Sequence, residues 1–244
     1  MLMLDRNAPV LVVAAHHDDE VLGCGGTMAR LAEAGHPVVS AVLGQGAVCR
    51  ESAMDASERE AVEAMMARQA AAAARVLGAK FVQTGMFPDN AFDSVPLLDI
   101  VRCVESVIER VRPQLILTHH GGDLNVDHRL TARAVQTAAR PLPGSGVRTI
   151  LAFEVLSSTE WTPVEEPGFR PDVFVDVAAR LDRKIEAMGC YESELQAFPH
   201  PRSEGGIRHL AGFRGGSAGL AAAEGFALVR SVPVFGFSKA EEGV

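Results

Sequence analysis

Residues 9–15, PVLVVAA, are apolar without interruption. A strand with one wet face would alternate apolar and polar side chains, so an unbroken run describes a strand covered on both faces. Covering both faces takes helices on both sides of a sheet, and the chain supplies strands and helices in alternation. Residues 20–34 carry apolar positions at Val21, Leu22, Met28, Leu31 and Ala32, with Gly35 as a stop. PVVSAVL at 37–43 reads as a second strand. Ser57 followed by Glu60 has the pattern of a capping box, opening a long helix that ends at Gly78. Residues 80–85 read as a third strand. Leu97, Val101, Val104, Ile108 and Val111 then step by four and three along a helix face that Pro113 closes. A fourth strand over 114–118 and a helix over 127–140 follow.

Beyond Pro141 the rhythm loosens. Residues 149–157 and 173–177 read as strands, 178–188 as a helix, and the Gly-, Arg- and His-rich stretch 198–219 as a long ordered loop or short helices. This alternation predicts an α/β chain, Rossmann-like, with a mostly parallel sheet and helices on both faces. With 244 residues, no internal repeat and no clean linker, one domain over 1–244 is expected. Its regular doubly wound part covers 1–140, and 141–244 forms a substrate-side and C-terminal extension.

A net charge of −8 argues against nucleic acid or an anionic membrane as the main partner. Cys24, Cys49, Cys103 and Cys190 are scattered, with no CxxC pair, and read as reduced packing residues in a cytoplasmic protein. The N-terminus MLMLDRNAPV has an early acid and no long apolar core, so no signal peptide is expected. No apolar run approaches the roughly 20 residues of a membrane span.

In open α/β sheets, ligands bind outside the carboxyl ends of the strands, where the strand order reverses. Two segments reach that edge with unusual chemistry: HHDDE (16–20) after the first strand and THHGGDLNVDHR (118–129) after the fourth. Adjacent Asp18, Asp19 and Glu20 repel one another, a cost a chain accepts most readily around a cation. His and Asp are ligands that a divalent metal such as Zn²⁺ takes. His16 and Asp19, three apart on a turn entering a helix, can converge on one point, and a histidine from the second segment would complete a three-ligand site. Gly23, Gly25 and Gly26 suggest a dinucleotide fingerprint, but acids fill the place where backbone amides would meet a pyrophosphate. These glycines are read instead as letting the first helix pack closely on the sheet.

The first segment resembles the A-H-P-D-D-E signature of the LmbE-like (PIG-L) family of metal-dependent N-acetylglucosaminyl deacetylases. The second resembles that family's D-L-N-x-D-H-R motif. FPDNAFDSVPLLDIV, EVLSSTEW and the HPRS…RG…AEGF pattern extend the likeness over most of the chain. The resemblance implies His16, Asp19 and His128 as metal ligands, Asp18 as general base and Asp127 as a hydrogen-bonding residue within the site. It implies Zn²⁺ as the cofactor, with Fe²⁺, Co²⁺ or Mn²⁺ as acceptable substitutes, and an N-acetylated amino sugar or glycoconjugate as substrate. Homo-oligomers are frequent in the family.

The chain departs from the pattern twice. His17 replaces the usual proline, and Asn125 stands where many members carry a histidine, so Asn125 can stabilise an oxyanion but cannot deliver a proton. Protonated Asp18, His119 or His120 would then supply it. Asp123 is read as fixing its loop or binding substrate. His17, His119, His120, Asp123, His200 and Arg202 form the candidate substrate-contacting set, with Arg214 a further candidate. Trp161, the chain's one tryptophan, could stack on a sugar or pack under a loop. A zinc amidohydrolase for a non-sugar amide, or a non-catalytic sugar- or nucleotide-binding protein, are the competing readings.

Overall fold

A computed structural model describes residues 4–45 and 55–232. Seven strands form one sheet in the order β3-β2-β1-β4-β5-β7-β6. β1 (Val10–Ala14), β2 (Val38–Gly44), β3 (Lys80–Phe87), β4 (Leu115–His119) and β5 (Thr149–Phe153) run parallel. β7 (Ala223–Ser231) and β6 (Val173–Asp176) complete the sheet through antiparallel pairings.

The continuous apolar run of β1 has a direct explanation. Val10 and Val12 point into one core cluster, shared with α1 (Asp19–Glu33), α2 (Ala56–Val76) and α5 (Leu181–Met188). Leu11 and Val13 point into the opposite cluster, shared with α3 (Leu97–Val111) and α4 (Val126–Ala138). All five β1 residues are buried, and truncating one of the larger ones to alanine would cost about 2–5 kcal/mol. The strand order reverses between β1 and β4, which places the two chemistry-bearing segments side by side at one carboxyl edge.

Four details differ from the sequence expectation. The long helix α2 is capped two residues earlier than read: the Asp55 side chain accepts from the Ser57 and Glu58 amides, and Glu58 returns a bond to the Asp55 amide. The stretch read as a loop holds α6 (Glu204–Ser217), capped by Ser203; its glycines hide it from propensity, while Ala211 and Gly215 let it lie close to the chain beside β7. β7 was not anticipated, because beyond its buried start it is largely exposed. The strand read over 149–157 ends at Phe153. Among the described cysteines, Cys24, Cys103 and Cys190 are free thiols; Cys49 lies outside the described residues.

The glycine reading of α1 agrees with the packing. A Cβ on Gly23 would lie 2.3 Å from the Phe153 ring on β5, and one on Gly26 2.8 Å from Val177. α1 also kinks at Cys24 (φ −149°, ψ 22°), which frees amides inside the helix. The Glu224 carboxylate accepts from the Gly26 and Thr27 amides at 2.9 and 2.7 Å, while Lys184 pairs with Glu224 at 2.7 Å and donates to the Leu22 carbonyl. Among the described residues, no helix is long and apolar enough to cross a membrane.

Candidate metal centre

The turn from β1 into α1 is tight. Asp18 sits at φ 94°, a left-handed conformation that Asp tolerates better than most residues. Its carbonyl accepts from the Val21 and Leu22 amides, so the backbone starts the helix while the carboxylate is left for other work. The Asp19 carboxylate reaches back to the His16 amide at 2.8 Å. Across the edge, Asn125 caps α4 by accepting from the Asp127 amide at 2.8 Å, which sets Asp127 and His128 on the first turn of that helix.

Three donor atoms converge here. His16 Nδ1, Asp19 Oδ2 and His128 Nε2 lie 3.3 Å from one another, pair by pair. Tetrahedral ligands at the usual Zn–N and Zn–O distances of about 2.0–2.1 Å are separated by about 3.3 Å, so the donor set fits a small divalent ion. The other nitrogen of each histidine faces a carboxylate. His16 Nε2 is 2.9 Å from Asp127 and 3.3 Å from Asp89; His128 Nδ1 is 3.1 Å from Asp123. Such partners fix the tautomer and aim the remaining lone pair at the ion.

The electrostatics match. Burial opposes charge on His16, yet hydrogen bonds to Asp127 and Asp19 carry its pKa up to about 10. His128, also against burial, is carried to about 9 by Asp19 and Asp123. Burial pushes Asp18 well above the usual carboxylate range, with Arg202 opposing it. Burial likewise works to raise Asp19, but the neighbouring His128 and His119 hold it well below that range.

The site residues expected from sequence separate into three places. His16, His17, Asp18, Asp19, Asn125 and His128 line one cavity of about 70 Å³, and Arg202 closes its side. Arg202 donates to Asp18 and to Glu194, both at 2.8 Å, and to the Ser157 hydroxyl. The buried His17 ring donates from Nε2 to Gln83, whose own amide nitrogen is held by the Val42, Gly44 and Gly85 carbonyls. Asn125 donates from Nδ2 to Asn90.

Asp123, Asp127 and His119 lie behind this cavity. Asp123 is buried, and its oxygens take the Ser158 and Thr159 hydroxyls, the Asn125 amide and His128. It stands behind His128 rather than in the cavity. Asp127 likewise accepts from the Phe92 amide and His16. His119 Nε2 accepts from the Ala15 amide at 2.9 Å while its ring stacks on His128 at 4.0 Å, and burial lowers its pKa to about 3. It is a neutral support under the ligands and a poor proton donor. His120 lies away from the cavity, donating to the Pro167 carbonyl against Phe169. His200 lines an outer groove beyond Arg202. Arg214 is committed to a two-point pair with Glu154 at 2.7 and 2.6 Å and does not reach the site.

Sequence reasoning missed Asp89 and Glu194. Asp89 lay inside the FPDN stretch as a match without a role, and Glu194 carries no local signal at all. A further residue, Glu20, is buried with its carboxyl on the Tyr191 hydroxyl, and burial raises its pKa to about 7.

Comparison with known proteins agrees with this geometry. Residues 11–139 match the family described as PIG-L, GlcNAc-PI de-N-acetylase. A probable N-acetyl-alpha-D-glucosaminyl L-malate deacetylase 2 of Bacillus cereus is 28% identical over 192 residues, 77% of this chain and 84% of the relative. A 4-oxalmesaconate hydratase of Pseudomonas putida is 32% identical over 196 residues, 74% of this chain and 71% of the relative. The N,N′-diacetylchitobiose deacetylase of Pyrococcus horikoshii shares the fold at a TM-score of 0.74, with 18% identity, covering 95% of this chain and 88% of that one.

Proposed function

This chain belongs to the PIG-L family, and from that membership we propose that it hydrolyses the N-acetyl group of an N-acetylglucosamine-type sugar or conjugate, with zinc as the resident ion. The observation that carries the reading is the convergence of His16, Asp19 and His128 donors at 3.3 Å beside a buried carboxylate, Asp18, that Arg202 holds at 2.8 Å. His16, Asp19 and His128 would hold a divalent ion, which when bound would supply positive charge to the reacting amide and acidify a water.

The remaining work falls to side chains. Asp18 accepts the proton of the attacking water, whose oxygen bonds to the acetyl carbon. As the C–N bond breaks, Asp18 returns that proton to the amine nitrogen, giving acetate and a free amino sugar. Its upward pKa shift from burial suits a group that must hold a proton midway. Arg202 fixes the orientation of the Asp18 carboxylate. Asn125 keeps one Nδ2 hydrogen on Asn90 and has a second for the carbonyl oxygen as charge grows there. Proton return by Asp18 meets the need left by asparagine at that position, since His119 is buried and neutral and His120 points elsewhere. The free thiols Cys24, Cys103 and Cys190 support a reducing, cytoplasmic setting.

The hydratase relative supports a second reading, water addition to a carboxylate-bearing alkene. Family membership favours the first; Asp18, Asp19, Asp89 and Glu194 face the cavity, and Arg202, the one arginine or lysine among its described lining residues, is already shared by two of them. A panel of N-acetylated sugars tests both. Metal-dependent acetate release, lost on Asp18→Asn with one ion per chain retained, is expected. Absence of acetate from every sugar, together with hydration of an unsaturated keto acid, would overturn it.

A further inference from the structure

We propose that Asn90 is a positioning residue: it fixes the side-chain amide of Asn125 so that the donor edge of that amide serves the carbonyl oxygen as charge grows there. The inference rests on the deacetylase reading and adds the residue that keeps its oxyanion donor in place.

The direction of the hydrogen bonds is the first argument. The Asp127 main-chain N–H, which can only donate, meets Asn125 Oδ1 at 2.8 Å. The other end of that side chain is therefore Nδ2, and it donates to Asn90 Oδ1 at 3.0 Å. Asn90 Nδ2 in turn donates at 3.1 Å to Asp89, whose carboxylate only accepts. The run thus reads one way, from a backbone donor to a carboxylate. Turning either amide over would set oxygen against oxygen and nitrogen against a donor, breaking two bonds at once.

The two ends of Asn125 do different work. Its oxygen caps α4, and that bond needs nothing from Asn90. Its nitrogen keeps one hydrogen on Asn90 and has another for substrate. With Asn90 truncated the cap would remain, but the amide would be held at one end only. A group held at both ends is aimed before the reaction starts, and small errors of aim are costly in a transition state.

Asn90 is itself held. It sits at φ 53°, a left-handed conformation that Asn tolerates better than most residues. Asp18 (φ 94°) and Ser157 (φ 64°) share that conformation and line the same cavity as Asn90. Such conformations persist only where the surroundings impose them, and they gather at functional sites. Next to Asn90 the chain is pinned: the Ala91 amide donates to the Pro88 carbonyl and the Phe92 amide to Asp127. Asp89, where the run ends, lies 3.3 Å from His16 Nε2, so the donor at Asn125 is tied to a residue of the metal centre.

Asn90 is exposed, so Asn90→Gly, which suits the left-handed backbone, should leave thermal unfolding nearly unchanged. In the metal-loaded chain it should lower kcat about tenfold with KM within about twofold, because the oxyanion forms only on the way to the transition state. Asn90→Ala, which stiffens the same backbone instead of loosening it, should lose as much kcat per folded molecule. Added to Asn125→Ser, which keeps a helix cap but removes the amide, Asn90→Gly should cost no more than about twofold. In isotope-labelled protein, the Asn125 side-chain amide signals, assigned by their loss in Asn125→Ser, should move in Asn90→Gly. A loss that falls on KM, a full tenfold loss repeated on top of Asn125→Ser, or amide signals that stay in place overturns the positioning role while leaving deacetylation intact. A native chain that releases no acetate from any N-acetylated sugar removes the deacetylase reading and the oxyanion role with it.

Discussion

Two buried polar clusters lie on either side of α1, and they are built on opposite terms. At the kink, Lys184, Glu224, the Leu22 carbonyl and the Gly26 and Thr27 amides form a closed set with one positive and one negative charge. At the helix start, Asp18, Asp19, Asp89, Asp123 and Asp127 crowd around two histidines and a single arginine. The first cluster is electrically complete and stabilises the bend. The second carries an excess of carboxylate that burial makes costly, and it balances only when a cation joins. A buried charged network that closes on itself is structural; one that leaves a charge unanswered beside a cavity is a site.

The contrast can be broken most sharply at Asp18. Asp18→Asn keeps a residue that tolerates the left-handed backbone, so the fold should stand while acetate release falls by about 10²–10⁴-fold; thermal unfolding and kcat measured together check this, and an unfolded variant would show that Asp18 belongs with the structural cluster. Lys184→Met should do the reverse, costing about 3–5 kcal/mol of stability because Glu224 is left charged and buried, with kcat per folded molecule nearly unchanged; denaturant unfolding reads the cost. Asp127→Asn should weaken metal binding about 10–100-fold by loosening His16, measured by competition with a chelator, whereas no substitution at Glu224 should move metal affinity.

The smallest effect concerns pH. In chelator-treated protein, His16 and His128 titrate near 10 and 9 rather than 6.5. Raised folded-state values mean that the stability they contribute is fully present below pH 6.5 and is lost as pH rises toward those values. The metal-free protein should therefore lose thermal stability between pH 7 and 10, and ion binding should release protons over the same window, measured calorimetrically in two buffers. A flat profile would mean that these histidines are not held by carboxylates as described.

Much of this was legible beforehand, for identifiable reasons. β1 could be read because burial on both faces leaves no polar position, and α3 because its apolar residues repeat at helical spacing. HHDDE could be read because a run of like charges at a strand end has few uses other than holding an ion, and DLNVDHR because it resembles the family's D-L-N-x-D-H-R motif. α6 was missed because Gly205, Gly206, Gly212, Gly215 and Gly216 suppress propensity that close packing then restores. Asp89 and Glu194 were missed because each is an ordinary loop acid until the fold brings it beside His16 or Arg202.

The amino-acid order alone settled the sheet's parallel part, the edge where chemistry would gather, and which residue types would meet an ion, since periodicity and charge spacing are local properties of a chain. Only the folded molecule decided which carboxylates face the cavity and which stand behind the histidines, and that Arg202 reaches Asp18 from 184 residues away and pairs with Glu194 at the same time. Those assignments depend on distances between segments far apart in the chain, and such distances exist only once the sheet has brought its strand ends together.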